Sequence, residues 1–87
     1  MLTISEDAAG FLIAVLEDAQ ASRETAVRLT RKGDGFASSL DTVRPGDVTI
    51  AHSGRKVLLM DAGTSIVLDN RSLELQATED RLRLRIN

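Results

Sequence analysis

The sequence predicts a small α+β domain, with an N-terminal helix packed on mostly antiparallel β-sheets that form a compact sandwich or partial barrel. Three observations predict it. Apolar residues recur at three- and four-residue spacing between Glu6 and Asp18, and from Thr25 onward the period drops to two. The alternating segments are then separated by turns as short as Ser53-Gly54. At 87 residues the chain accommodates one domain, taken as residues 1–87, with a shallow core.

The helix is expected over residues 6–18. Ala8, Phe11, Leu12, Val15 and Leu16 make one apolar stripe, and Phe11 and Leu12 are expected in the core. Ser5 is placed to cap the first free amides, with Glu6 and Asp7 where the helix field favours negative charge. Gly10 inside the helix weakens it by about 0.5 to 1 kcal/mol relative to Ala, so its presence suggests close approach to another backbone. Glu17 and Asp18 oppose the field at the far end, which places the stop between Asp18 and Ala21.

Strands are expected near residues 25–31, 47–52, 55–60, 72–77 and 81–86. In the first, Val27 and Leu29 alternate with Arg28. Arg44-Pro45-Gly46-Asp47 has the chemistry of a type II turn, Pro45 fixing the first central dihedral and Gly46 accepting the positive one. Val48 and Ile50 then point inward, and Ser53-Gly54 connects to Arg55–Met60 as a hairpin. The last strand alternates most cleanly, with Leu82, Leu84 and Ile86 on one face and Arg81, Arg83 and Arg85 on the other. Residues 64–68 remain open on local grounds: their composition suits a strand, yet Asp61 is a good cap for a short helix packed through Ile66 and Val67 or Leu68.

Composition narrows the function. The only aromatic residues are Phe11 and Phe36, so platforms for stacked bases or anchors for a partner are scarce. A net charge of −2 gives no general attraction for nucleic acid. Met1–Gly10 lacks the basic start and apolar run of a signal peptide, and no stretch is long enough to cross a bilayer; no membrane association is expected and a cytoplasmic location is. There is no cysteine, which removes thiolate catalysis, disulfides and the usual zinc and iron–sulfur ligands.

The remaining chemistry-bearing groups form no coherent site. His52 stands before a turn as a solvent-facing residue, and pairing it with Ser53 and Asp61 as a triad fails because adjacent strand residues point to opposite faces. Asp34, Asp41 and Asp47 have no calcium-loop spacing. Lys32-Gly33-Asp34-Gly35-Phe36 lacks the phosphate-loop pattern and reads as a bend, with Asp34 bonding to nearby amides. Arg81, Arg83 and Arg85, joined by Arg71 if the preceding hairpin pairs closely, form a positive stripe that reads as a solvated sheet face or an interaction surface. No catalytic residue, metal ligand or cofactor is expected, and the protein is not expected to be an enzyme.

Taken in order, these elements resemble the HesB-like family, the A-type iron–sulfur cluster carriers. MLTISEDAAGFLIAVLED resembles the family's opening strand and helix. GRKVLLMDAGTSIVLDNRSLEL is similar to its second signature, and RLRLRI to the strand preceding its cysteine-bearing tail. The resemblance implies a short helix over residues 62–68 capped by Asp61. It also implies that Gly33, Asp34, Gly35 and Phe36 occupy the place of the cluster loop, with Asp34 at or beside the ligand cysteine. The paired tail cysteines would fall beyond Asn87, where this sequence stops. The chain thus resembles a cysteine-free member whose loop is vestigial. The implied roles are an interaction or structural module, with a homodimer as a possible state, or an accessory factor that docks to a cysteine-bearing carrier in iron–sulfur assembly.

Overall fold

The computed structural model describes residues 1–87. Helix α1 spans Glu6–Asp18, as its apolar spacing predicts. The Ser5 hydroxyl accepts a hydrogen bond from the Ala8 amide at 3.1 Å and satisfies one of the free donors of the first turn. The helix ends where Gln20 enters the left-handed region at φ 53°. The Gln20 amide donates to the Glu17 carbonyl and the Ala21 amide to the Leu16 carbonyl, the two closing bonds of a Schellman motif. Termination therefore has a backbone cause that the acidic residues at 17 and 18 did not reveal.

Strands β1 (Thr3–Ile4), β2 (Thr25–Lys32), β3 (Gly35–Thr42), β4 (Val48–His52) and β5 (Arg55–Met60) precede helix α2 (Ala62–Val67), and β6 (Ser72–Ala77) and β7 (Leu82–Ile86) follow it. They form a three-stranded sheet in the order β1-β6-β7 and a four-stranded sheet in the order β3-β2-β5-β4. Neither closes on itself. Three ladders are antiparallel, as expected, but β1 pairs with β6 and β2 with β5 in parallel, so both sheets are mixed.

The turn chemistry is obeyed. Gly46 has φ 86°, and the Asp47 amide donates to the Arg44 carbonyl at 3.0 Å. Ser53 and Gly54 both have positive φ, the signature of a type I′ hairpin. Strand β3 was not anticipated. Its sequence, Gly35 to Thr42, is rich in serine and carries little alternation of its own, yet all eight of its residues are in register with β2.

The core lies beneath α1, with Leu12, Leu16, Leu58, Met60, Leu68 and Leu73 at its centre. Central strand β5 is closed on both faces, and Val57, Leu58, Leu59 and Met60 have no exposure. The β4–β5 register passes from Ile50–Leu58 to Ala51–Lys56, leaving Val57 without an opposite residue. This bulge allows the consecutive residues Val57 and Leu58 both to join the core.

Several side-chain expectations are corrected. Phe11 is only half-buried, because it stands at the edge of the α1 stripe while Ala8, Ala9, Leu12 and Leu16 take the interior. Gly10 approaches no backbone: a Cβ there meets nothing within 4 Å. Helix α2 forms with the Asp61 carboxylate accepting from the Thr64 amide at 2.7 Å, but it packs through Thr64 and Leu68, whereas Ile66 is 75% exposed. Strand β7 begins at Leu82 rather than Arg81. Leu82 is exposed, so the inward face of that strand is carried by Leu84 and Ile86.

Candidate functional site

An apolar cleft lies between α1, β3 and β7. It consists of two adjoining lobes of about 350 and 220 Å³ that share Phe11, Ser38 and Leu84. Phe36 and Ile86 line the first lobe, Val15 and Leu40 the second. The alternation of β3 aligns Phe36, Ser38 and Leu40 on one face, and the 3.6-residue period of α1 places Phe11 and Val15 together. Arg83 is the only ionisable residue at the lining. Such a surface suits apolar side chains; it offers no acid–base pair and no nucleophile held by a base.

The hairpin joining β2 and β3 stands beside this cleft. Gly33 has φ 59° and Asp34 does not share the positive sign, the pattern of a type II′ turn with glycine at its first central position. The proposed bend is therefore a tight hairpin tip. Gly33 is required by its backbone; Gly35 is an ordinary strand residue paired with Lys32, with room for a Cβ. Asp34 is exposed and, contrary to the expected Asx-type bonding, has no hydrogen-bond partner among its neighbours. Phe36 turns inward and packs against the core.

The arginines do not form one ladder. Arg83 and Arg85 lie on β7 opposite Gln76 and Glu74. Arg81 closes the β6–β7 turn, its carbonyl accepting from both the amide and the hydroxyl of Thr78. Arg71 is held elsewhere, its Nε donating to the Asn87 carbonyl at 2.9 Å. With Glu74 opposite Arg85, the arrangement favours a solvated sheet face over a continuous cationic stripe.

The strongest charge cluster escaped the sequence reading. Arg28 is 6% exposed on β2. Its Nε donates to Asp41 at 2.7 Å, its two terminal nitrogens to Asp47 at 3.0 and 2.5 Å, and one of them also to the Thr42 carbonyl at 3.1 Å. The Arg44 amide and side chain bind Asp47 and Asp41, each at 2.7 Å. The bond from Arg28 is the main reason that Asp47 is held down at about 2. Asp41 is lowered first by the Thr42 amide and then by Arg28, while the guanidinium of Arg28 is stabilised in its charged form, chiefly by Asp47. Asp41 and Asp47 are thus brought together, as partners of a buried arginine rather than as cation ligands. The signal was non-local: Arg28 reads as the outward residue of an alternating strand until its carboxylates, 13 and 19 residues away, are placed.

A thiolate-ligated cluster does not fit these residues. The sequence has no cysteine and one histidine, whereas iron–sulfur clusters require several soft or imidazole donors. His52 precedes the β4–β5 turn at one end and one edge of the four-stranded sheet. Asp34 tips the β2–β3 hairpin at the other end and the opposite edge. An eight-residue strand, roughly 25 Å, separates these ends. Asp61 caps α2 at the far end of β5 from Ser53, so the triad arrangement is absent as well. No group of three His, Asp or Glu side chains converges as a metal shell.

No protein-family model matches the sequence, and no curated protein matches it. Solved structures do. Escherichia coli SufA, described as involved in biosynthesis of iron–sulfur clusters, superposes with a TM-score of 0.75 at 22% identity, over 99% of this chain and 83% of that one. IscA, solved with a [2Fe-2S] cluster, superposes with a TM-score of 0.66 at 13% identity, over 100% of this chain and 84% of that one. The likeness shows the fold, that of the A-type carriers, as the resemblance implied. No helix is long and apolar enough to cross a membrane.

Proposed function

We propose that the protein is a non-catalytic interaction module that uses the HesB-like scaffold within, or derived from, iron–sulfur cluster assembly, and that it does not carry a cluster on its own side chains. The observation that carries this reading is a carrier-like fold whose hairpin tip presents Gly33-Asp34-Gly35 and whose 87 residues include no thiolate. Asp34 supplies a single hard oxygen donor, and no second donor faces it. Gly33 and Phe36 have structural duties that hold without a ligand, one setting the turn and the other filling the core margin.

Anaerobic incubation with iron and sulfide, followed by desalting, tests the reading. The expected result is protein without cluster charge-transfer absorption or stoichiometric sulfide. Retention of both, abolished by Asp34→Ala or His52→Ala, overturns it. The second reading, docking to a cysteine-bearing carrier, draws on the exposed apolar cleft formed by Phe11, Phe36, Leu40 and Leu84. It requires a cluster that forms only in the presence of such a carrier, with binding weakened by Phe11→Ser. A carrier that loads its cluster identically with and without this protein removes that reading.

A further inference from the structure

We infer that the free edge of β3 pairs antiparallel with β3 of a second copy about a two-fold axis at Ser38, joining two four-stranded sheets into one. The inference stands apart from the iron–sulfur reading and rests on the sheet edges.

A free edge invites pairing, and folded proteins blunt it with short strands, charges, prolines or bulges. Three of the four edges here carry such a device. Strand β1 has two residues, β7 presents Arg83 and Arg85, and β4 is only five residues long with its ladder to β5 shifted by the bulge opposite Ile50–Ala51. Strand β3 is eight residues long, in unbroken register with β2, and has no charged or proline residue from Gly35 to Leu40.

The hydrogen-bond phase identifies which groups are free. The Thr25 amide donates to the Ser22 carbonyl and not to Thr42, so Thr25–Thr42 is a non-hydrogen-bonded pair. By alternation, Gly35, Ala37, Ser39 and Asp41 bond to β2, and the amides and carbonyls of Phe36, Ser38 and Leu40 point to the open side. Thr42 is already engaged, its carbonyl by Arg28 and its amide by the Asp41 carboxylate.

In an antiparallel pair, an outward residue must face an outward residue. The register that uses these three residues and no others sets Ser38 against Ser38 and Phe36 against Leu40 twice. It forms about six inter-copy hydrogen bonds. Leu40, now 45% exposed, gains an aromatic cross-strand partner on the cleft side. Charge agrees: Asp34, without a partner in its own chain, comes opposite Thr42 of the second copy and within diagonal reach of its Arg44, which is 66% exposed. No like charges face each other along the paired strands.

Because the sequence has no cysteine, a single introduced thiol reports only contacts between copies. Light scattering is expected to give twice the 9.4 kDa chain mass. Ser38→Cys is expected to cross-link under mild oxidation, since opposed residues of a hydrogen-bonded pair have Cα atoms about 5.5 Å apart, inside the disulfide range. Ser39→Cys, displaced by a diagonal, is not. Ser38→Pro removes an outward amide without touching the β2 ladder, and Leu40→Lys adds a charge at an exposed position. Each should weaken self-association at least about tenfold while leaving the circular dichroism spectrum unchanged. A monomer at every concentration overturns the proposal, even if the edge then takes an extended peptide from another protein. So does a dimer indifferent to Leu40→Lys, or one in which Ser39→Cys bridges and Ser38→Cys does not.

Discussion

The two sheets of this protein differ in how completely they are enclosed. The four-stranded sheet has a central strand closed on both faces, and a buried arginine binds its β2 strand to the segment from Asp41 to Asp47. In the three-stranded sheet only Leu73 is fully enclosed; Leu75, Leu84 and Ile86 are half-buried, and Leu82 is exposed. One sheet is an enclosed floor. The other is a cover whose apolar face looks into an unfilled cleft. Closure and exposure thus fall unequally on the two sheets of one small domain, and a substitution should be judged by the sheet it enters.

The largest expected effect is in the floor. Leu58→Ala removes a side chain with no exposure and should cost about 2–5 kcal/mol, read from urea unfolding. The same truncation at Leu84 should cost about 1 kcal/mol, because much of that side chain already faces the cleft. Equal losses would break the comparison.

Acid provides a second test. Asp41 and Asp47 titrate below their ordinary range in the folded state, so their contribution is complete above pH about 4 and is lost as pH falls towards 2. The urea midpoint should therefore drop through this window. Asp47→Asn should flatten the drop while lowering stability at neutral pH, since it leaves Arg28 buried with one carboxylate fewer. A variant whose acid profile matches the parent would remove the ion cluster from the account of the floor.

The smallest effect concerns α1, which packs on β2 and β5 of the floor and on β6 of the cover. Gly10→Ala should stabilise the protein by about 0.5–1 kcal/mol, because the added methyl meets nothing. Native-state hydrogen exchange then sharpens the contrast. Amides of β5 should report the whole gain, whereas amides of β7, which open locally, should report little. Uniform slowing across both sheets would mean that floor and cover unfold as one.

What could be read from the sequence follows the same division between local and distant causes. The bounds of α1, the three hairpin and turn signals, the Asp61 cap and strands β4 to β6 are written in neighbouring residues, and the order of elements was enough to suggest the fold. Strand β3 was not legible, because Phe36-Ala37-Ser38-Ser39-Leu40 becomes a strand through its register with β2 and not through its own propensity. The burial of Arg28 was hidden for the same reason, and so was the parallel pairing of β2 with β5. Around the candidate site, Phe11 was assigned to the core when it lines the cleft, Arg81 was grouped with Arg83 and Arg85 by an alternation that begins only at Leu82, and Arg71, joined to them through hairpin pairing, is held at the Asn87 carbonyl instead. Periodicity says which residues can share a face; it does not say whether anything covers that face.

The parallel pairing of Thr3–Ile4 with Ser72–Leu73 sets a schedule for the chain as it is made. At roughly 5–20 residues per second, β1 waits about 3–14 s for its partner strand to be synthesised. Late in that interval, once Met60 has been made, the four-stranded sheet can be complete while α1 still lacks the strand that covers its remaining apolar side. The nascent protein should therefore dwell with its floor assembled and its cover open. A chaperone or a membrane surface would meet it at that stage through Leu2, Ile4 and Leu12, three residues that the finished fold withdraws from contact.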